Sequence, residues 1–147
     1  MIQNTPGSGG WYRRMAAPIS YDTGIMLLRI VLGVMLATHG YGKVFGNTAG
    51  FTEGVAKMGF PLPEFFAWAA AISEFFGGIC LALGLLTRFW SFMAAVTMFV
   101  AAFIRHGDDP FKNKELSLVY LGLALALFLL GPGRASLDHA LFGRRSR

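Results

Sequence analysis

The chain has 147 residues, of which 54% are hydrophobic and only 14% charged, with a mean hydropathy of +0.53. A soluble domain carries roughly a quarter charged residues, so this composition belongs to a membrane protein of one domain. The net charge of +5 raises nucleic acid as a partner, but the bases sit in tails and short loops between apolar runs, as topogenic signals do. Nucleic acid is therefore set aside. The single cysteine, Cys80, rules out an intramolecular disulfide, a CxxC pair and a Cys-rich metal site.

In chain order, residues 1–22 form a polar tail in which Trp11-Tyr12-Arg13-Arg14 reads as an interfacial anchor. The first apolar segment, Gly24 to Phe45, carries Arg29, His39 and Lys43 and is about 22 residues long. It is too long and too charged for a signal peptide core, so it is read as a retained helix. Between Asn47 and Leu62, Phe51, Val55 and Met58 recur at helical spacing while Glu53 and Lys57 pair four apart, which predicts a short surface helix. Gly59, Pro61 and Pro63 end it. The second span, Phe65–Leu86, is apolar except for Glu74, which lies ~14 Å in and so near the bilayer midplane. Thr87-Arg88 makes a tight turn with Thr87 as the expected N-cap. A third span runs over Phe89–Ile104, then a polar turn from Arg105 to Pro110, then a fourth span over Glu115–Leu130 that Gly131-Pro132-Gly133 stops. The tail from Ser136 puts Leu137, Ala140 and Leu141 on one side before Arg144, Arg145 and Arg147, which suggests a short interfacial helix with a basic end.

The fold class is thus all-α, an integral membrane four-helix bundle over residues 23–133, flanked by tails at 1–22 and 134–147. Four spans put both termini on one side. That side holds Arg13, Arg14, Arg88, Arg134, Arg144, Arg145 and Arg147, against Lys43, Lys57, Arg105, Lys112 and Lys114 on the other. The positive-inside rule then predicts N-in and C-in, with cytoplasmic tails.

The polar groups inside this bundle are the candidates for function, because ionisable residues within spans are costly and mark sites by default. At 100° per residue, Ala67, Ala70, Ala71, Gly77, Gly78 and Leu81 share the face of Glu74, so the acid points at another helix rather than at lipid. On the first span Arg29, Gly33, Leu36, Gly40 and Lys43 fall near one line, with His39 offset by about 80°. By depth His39 is nearly level with Glu74, while Arg29 offers the better charge. The expectation is an inner set of Arg29, His39 and Glu74 below an outer polar cluster of Lys43, Arg105, His106 and Glu115. Lys43 reads as a rim anchor. Glu115, Val119, Gly122 and Ala126 share a face that would repeat the design on the fourth span. His106, Asp108 and Asp109 carry metal-type side chains without a ligand spacing, and no metal site is expected.

The succession LLRIVLGVMLATHGYGKVFG, GFPLP, AISEFFGGICLALGLLTRFWS and NKELSLVYLGLALALFLLGPGRASLD resembles the DoxX family of small bacterial membrane proteins over about residues 24–139. Its HG-x-x-K element (His39, Gly40, Lys43), its E-x-x-G-G-x-x-L-x-L-G-L-x-T-R element (Glu74 to Arg88) and its G-P-G-x-x-S-L-D ending (Gly131 to Asp138) carry the likeness. The resemblance implies a multi-pass protein of the bacterial inner membrane. It also implies association with oxidoreductase complexes that handle sulfur compounds or oxidative stress, the family name coming from a thiosulfate:quinone oxidoreductase subunit.

Three readings follow. In the leading one the chain is a redox-associated membrane subunit. His39 and Lys43 would hydrogen-bond a quinone carbonyl or a sulfur oxyanion, and Glu74 would take the accompanying proton. Arg29, Lys43, Glu115 and His106 are the ligand-binding candidates, Glu74 and His39 the catalytic ones. A quinone is the cofactor considered, and the lipid bilayer, a second membrane subunit or a further copy of the chain are the expected partners. In the second reading it is a non-catalytic scaffold that recruits soluble redox enzymes through its basic tails. In the third it is a small oligomeric transporter with Glu74 on the path.

Overall fold

The computed structural model describes residues 20–143, so the tail bases Arg13, Arg14, Arg144, Arg145 and Arg147 lie outside the described residues. Within them the chain is all helical, with no strand. Helix α1 covers Tyr21–Phe45, α2 Thr48–Lys57, α3 Pro63–Leu83, α4 Thr87–Val100, α5 Phe111–Leu130 and α6 Leu137–Phe142. A π-helical turn, Ala101–Arg105, extends α4. Four helices, α1, α3, α4 with its π turn, and α5, are long and apolar enough to cross a membrane. Between 17% and 39% of each apolar window is buried within the chain, so most of that surface needs a nonaqueous neighbour. Val31, Phe76, Phe92, Phe99, Val119 and Leu129 all point outward, a surface that lipid covers and water does not.

Local chemistry sets the helix ends. Ser20 accepts from the Thr23 amide and Asn47 from the Gly50 amide, capping α1 and α2. Pro63 opens α3 at a position where its missing N–H costs nothing. That helix stops at Leu83, not Leu86, because Gly84 turns left-handed at φ 72° and its N–H bonds back to Leu81. Thr87 is not the N-cap of α4. Leu86 holds that place at φ 49°, and the capping oxygens come from Asp138, which accepts from Leu86 N at 2.7 Å and Thr87 N at 2.8 Å. The cap arrives from 51 residues away, so no local pattern announces it. Helix α5 begins at Phe111, a full turn before Glu115, directly after Pro110.

Helices α1 and α3 lie antiparallel and pack closest, through glycine. A Cβ on Gly33 would stand 2.6 Å from Ala82 N, one on Gly78 2.6 Å from Ala37 N, and one on Gly40 2.8 Å from the Glu74 carbonyl carbon. In lipid there is no hydrophobic drive to bring two helices together, so backbone-to-backbone packing of this kind is what fixes their distance. Leu32, Leu36, Leu81, Ala94, Ala95, Met98, Ala124 and Leu127 fill the centre of the bundle. The face of α5 carrying Glu115, Val119 and Gly122 is exposed, contrary to the sequence expectation. Its buried side is Tyr120, Ala124 and Leu127.

Candidate functional site

The close approach at Gly40 brings α1 against the α3 backbone at Glu74 and Phe75. Lys43 stands one turn further along α1, on the same face as Gly40, and its stem is long enough to fold back across that turn. Its Nζ lies 2.5 Å from Oε1 and 2.6 Å from Oε2 of Glu74, a two-pronged, charge-assisted contact. The Glu74 side chain is 2% exposed and that of Lys43 29%, so the pair is sealed on the acid side and open on the basic side. Over the open side, the ammonium also faces the Phe51 ring of α2 at 4.7 Å.

This pairing corrects the sequence expectation, which gave Glu74 to Arg29 or His39. His39 is level with the acid but turned off the shared face. Its Nδ1 lies 2.9 Å from the Met35 carbonyl, and its ring meets Tyr120 of α5 edge-on at 5.6 Å. Arg29 is 1% exposed and sits at the far end of the bundle, where it donates to the Ala135 carbonyl and its head fills the space beside Gly84. The expected outer cluster is also dispersed. Lys43 belongs to Glu74, His106 donates to Asp109 at 2.7 Å, Arg105 lies by Gly54 of α2, and Glu115 is exposed at the start of α5. Outside the spans, the Asp109 carboxyl is held below its ordinary value of 3.8, first by the hydrogen bond from His106 and then by that from Asn113. Among the described residues no three His, Cys, Asp or Glu side chains gather as metal ligands.

Sequence reasoning did not single out Tyr120, Ser73 or Asp138. Tyr120 is 3% exposed, within electrostatic reach of Glu74, and its hydroxyl has no protein partner among the described residues. Ser73, next to Glu74, is fully buried with an equally unpartnered hydroxyl. An unmet buried donor of this kind disfavours the fold by about 1–3 kcal/mol, so its presence beside an ionised pair is informative.

The DoxX family profile matches residues 24–107, more than half of the chain. The chain belongs to the DoxX family. It is 30% identical to the Escherichia coli (strain K12) "Inner membrane protein YqjF" over 128 residues, covering 82% of this chain and 93% of that protein. It is 31% identical to the Bacillus subtilis (strain 168) "Putative oxidoreductase CatD" over 124 residues, covering 84% and 90% respectively. No solved structure matches the chain.

In this DoxX protein the elements that carried the resemblance meet in pairs. The HG-x-x-K and E-x-x-G-G elements pack on each other and make the Lys43–Glu74 pair. The L-G-L-x-T-R and G-P-G-x-x-S-L-D elements join at the other end. There Asp138 N donates to the Gly84 carbonyl, and the Asp138 carboxylate caps α4. Arg134 N adds a bond to Asp22 at the start of α1. The first pair makes a buried ion pair, the second a structural clasp.

Proposed function

We propose that this DoxX-family protein is a redox-associated subunit of the bacterial inner membrane that binds a quinone-type ligand at Lys43 and Glu74, with both termini in the cytoplasm. The observation that carries the reading is the buried carboxylate held by a half-exposed ammonium inside an apolar bundle. Such a pair offers a donor to a carbonyl oxygen and an acceptor to the hydroxyl formed from it. Quinone reduction takes up two electrons and two protons. The electrons would come from a partner enzyme; Glu74, once protonated, would pass one proton to the ligand oxygen while Lys43 stabilises the charge that develops there, and water at the open Lys43 side would supply the second proton. His39 and Tyr120 stand at the same level and would border the ring. The name of the Bacillus relative supports a redox link, and the name of the Escherichia relative and the four apolar helices support the membrane location. The larger share of bases on the side of both tails supports the orientation.

The test is binding of menaquinone and ubiquinone to purified protein in nanodiscs, by quenching of tryptophan fluorescence, together with thiosulfate-dependent quinone reduction in membranes. The reading expects saturable binding that Lys43→Met and Glu74→Gln each weaken about ten- to a hundredfold. This is the loss of one charge-assisted hydrogen bond, about 1.5–3 kcal/mol. Equal binding by the wild type and both variants, or none by any of them, would defeat it.

A further inference from the structure

The bundle interior holds more unmet polar atoms than the Lys43–Glu74 pair explains. Besides Ser73 Oγ and the Tyr120 hydroxyl, the buried Ser91 Oγ, Trp90 Nε1 and Thr87 Oγ1 have no protein partner among the described residues. Trp90 Nε1 lies near the Cys80 thiol without hydrogen-bond geometry. All five are on the inward sides of α3, α4 and α5. In hydrocarbon surroundings a buried hydroxyl or indole N–H is met by protein or by water, because lipid offers it nothing.

Their order along the bundle axis matters. Thr87 begins α4. Trp90 and Ser91 are one turn further in, ~5–6 Å along the axis. The Trp90 ring reaches up to Gly77, where a Cβ would stand 2.7 Å from it. Glu74 is nine residues before the end of α3 and Tyr120 ten before the end of α5, so both lie ~14–15 Å from that end. Ser73 is beside Glu74. The widest axial interval, between Ser91 and the Glu74 level, is ~8 Å, which two or three hydrogen-bonded waters bridge. Beyond Thr87 the lane meets the clasp at Asp138, which is partly exposed.

We infer that Thr87, Trp90, Ser91, Ser73 and Tyr120 line a narrow hydrated lane through the bundle, by which Glu74 exchanges protons with the aqueous side at the Asp138 end. A proton arriving along the lane neutralises the Glu74 carboxylate and releases it from Lys43. A base reaching Glu74 from the Lys43 side then takes that proton, restoring the ion pair. The site is thereby served from two faces: ligand at the Lys43 opening, protons from the opposite end. This extends the proposed function, which needs Glu74 to be recharged, but it is tested on the protein without any quinone.

The experiment places single cysteines at Ser73 and Ser91 in a Cys80→Ala background and exposes reconstituted protein to a small charged methanethiosulfonate. Phe92→Cys and Phe99→Cys serve as lipid-facing controls and Lys112→Cys as a water-facing one. The lane requires Ser91→Cys and Ser73→Cys to react, Phe92→Cys and Phe99→Cys to stay unmodified, and Ser91→Val to slow reaction at Ser73→Cys at least tenfold when reagent is given from the Asp138 side. X-ray radiolytic footprinting of the unmutated protein gives a readout that needs no variant. Trp90 and Tyr120 are expected to be oxidised by adjacent water, Phe92 and Phe99 spared. Unreactive cysteines in folded protein, or footprints that spare Trp90 and Tyr120, would overturn the lane whether or not quinone binds. Quinone binding failing alone would leave the lane standing and remove only the ligand.

Discussion

Replacing Gly40 by alanine tests whether glycine packing creates the Lys43–Glu74 site. A Cβ there would stand 2.8 Å from both the Glu74 carbonyl carbon and the Phe75 Cα, and closer still to the Phe75 amide nitrogen. Ordinary contacts of such atoms begin near 3.4 Å. Because the partners are backbone, no side chain can swing aside, and the helices must separate by about 1 Å. Overpacking of this kind destabilises by about 1–3 kcal/mol. The same movement adds about 1 Å to the 2.5 and 2.6 Å contacts of Lys43 with Glu74, taking both to the limit of a hydrogen bond. The matching control is Gly42→Ala, two residues on, where an added Cβ meets nothing within 4 Å. There alanine removes a flexible residue from a helix interior and should be neutral or stabilise by about 0.5–1 kcal/mol. Reversible unfolding of both variants in bicelles, followed by steric trapping, measures the difference, which should be about 1–4 kcal/mol. If Gly40→Ala proves as stable as Gly42→Ala, the close helix approach does not govern this site.

A double-mutant cycle of Lys43→Met and Glu74→Gln should give a coupling of about 1.5–3 kcal/mol, below a fully buried pair because Lys43 is 29% exposed. Coupling near zero in the same unfolding assay would mean the contact is incidental. Asp138→Ala removes both oxygens that cap α4 and should destabilise by about 1–2 kcal/mol, whereas a Thr87→Ala change keeps the cap and should cost less. A larger loss at Thr87 would return the capping role to it. Because the folded Asp109 carboxyl titrates below its ordinary 3.8, the stabilisation of the His106–Asp109 turn is present above that value and is lost as pH falls through the lower folded one. The carboxyl carbon shift of Asp109, followed by NMR from pH 6 downward, checks this, and a midpoint above 3.8 would contradict it. Amide hydrogen exchange in nanodiscs should be fastest in α2 and the last turn of α1 and slowest from Arg29 to Leu36, with the reverse order speaking against an open Lys43 end.

Much of this was legible in the residues because lipid leaves few choices. Long apolar runs with glycine and proline stops predict helices, and the line through Arg29, Gly33, Leu36, Gly40 and Lys43 is the face that meets α3. Choosing the partner of Glu74 failed because depth was judged at the backbone. Lys43 starts about 4.5 Å beyond Gly40 by helical rise, and its stem spans that distance and more. Hence a level residue such as His39, turned aside, lost to a residue one turn away on the right face. Tyr120 and Asp138 were harder. From Leu118 to Leu130 of α5 every side chain but that of Tyr120 is apolar, and lipid is as apolar as a core, so hydrophobicity cannot tell the inside of that stretch from the outside. The glycine at 122 pointed to a packed face that is in fact open. Asp138 acts on α4 through a fold-back that spacing along the chain does not encode.

The two ends of the α1–α3 pair are held by different physics, and this division gives the site its character. At the Arg29 end a buried guanidinium, a carboxylate cap and main-chain bonds tie α1, α3, α4 and the segment after α5 into one clasp. At the Lys43 end, beyond the glycine crossing, the described contact between α1 and α3 side chains that has charge at stake is a single ion pair. Protonating Glu74 removes its attraction for Lys43 while leaving the clasp untouched. The Gly40 backbone contact and the Tyr41 and Phe45 rings against Phe75 hold this end as well, so the ion pair is the part of the crossing that charge can alter, and it is the proposed ligand site. A ligand that competes for Lys43 and a proton that neutralises Glu74 both act on that same pair. Protonating Glu74 frees Lys43 for a ligand carbonyl but takes away the carboxylate acceptor for a ligand hydroxyl, so the weaker binding expected of Glu74→Gln marks a ligand held by both groups of the pair.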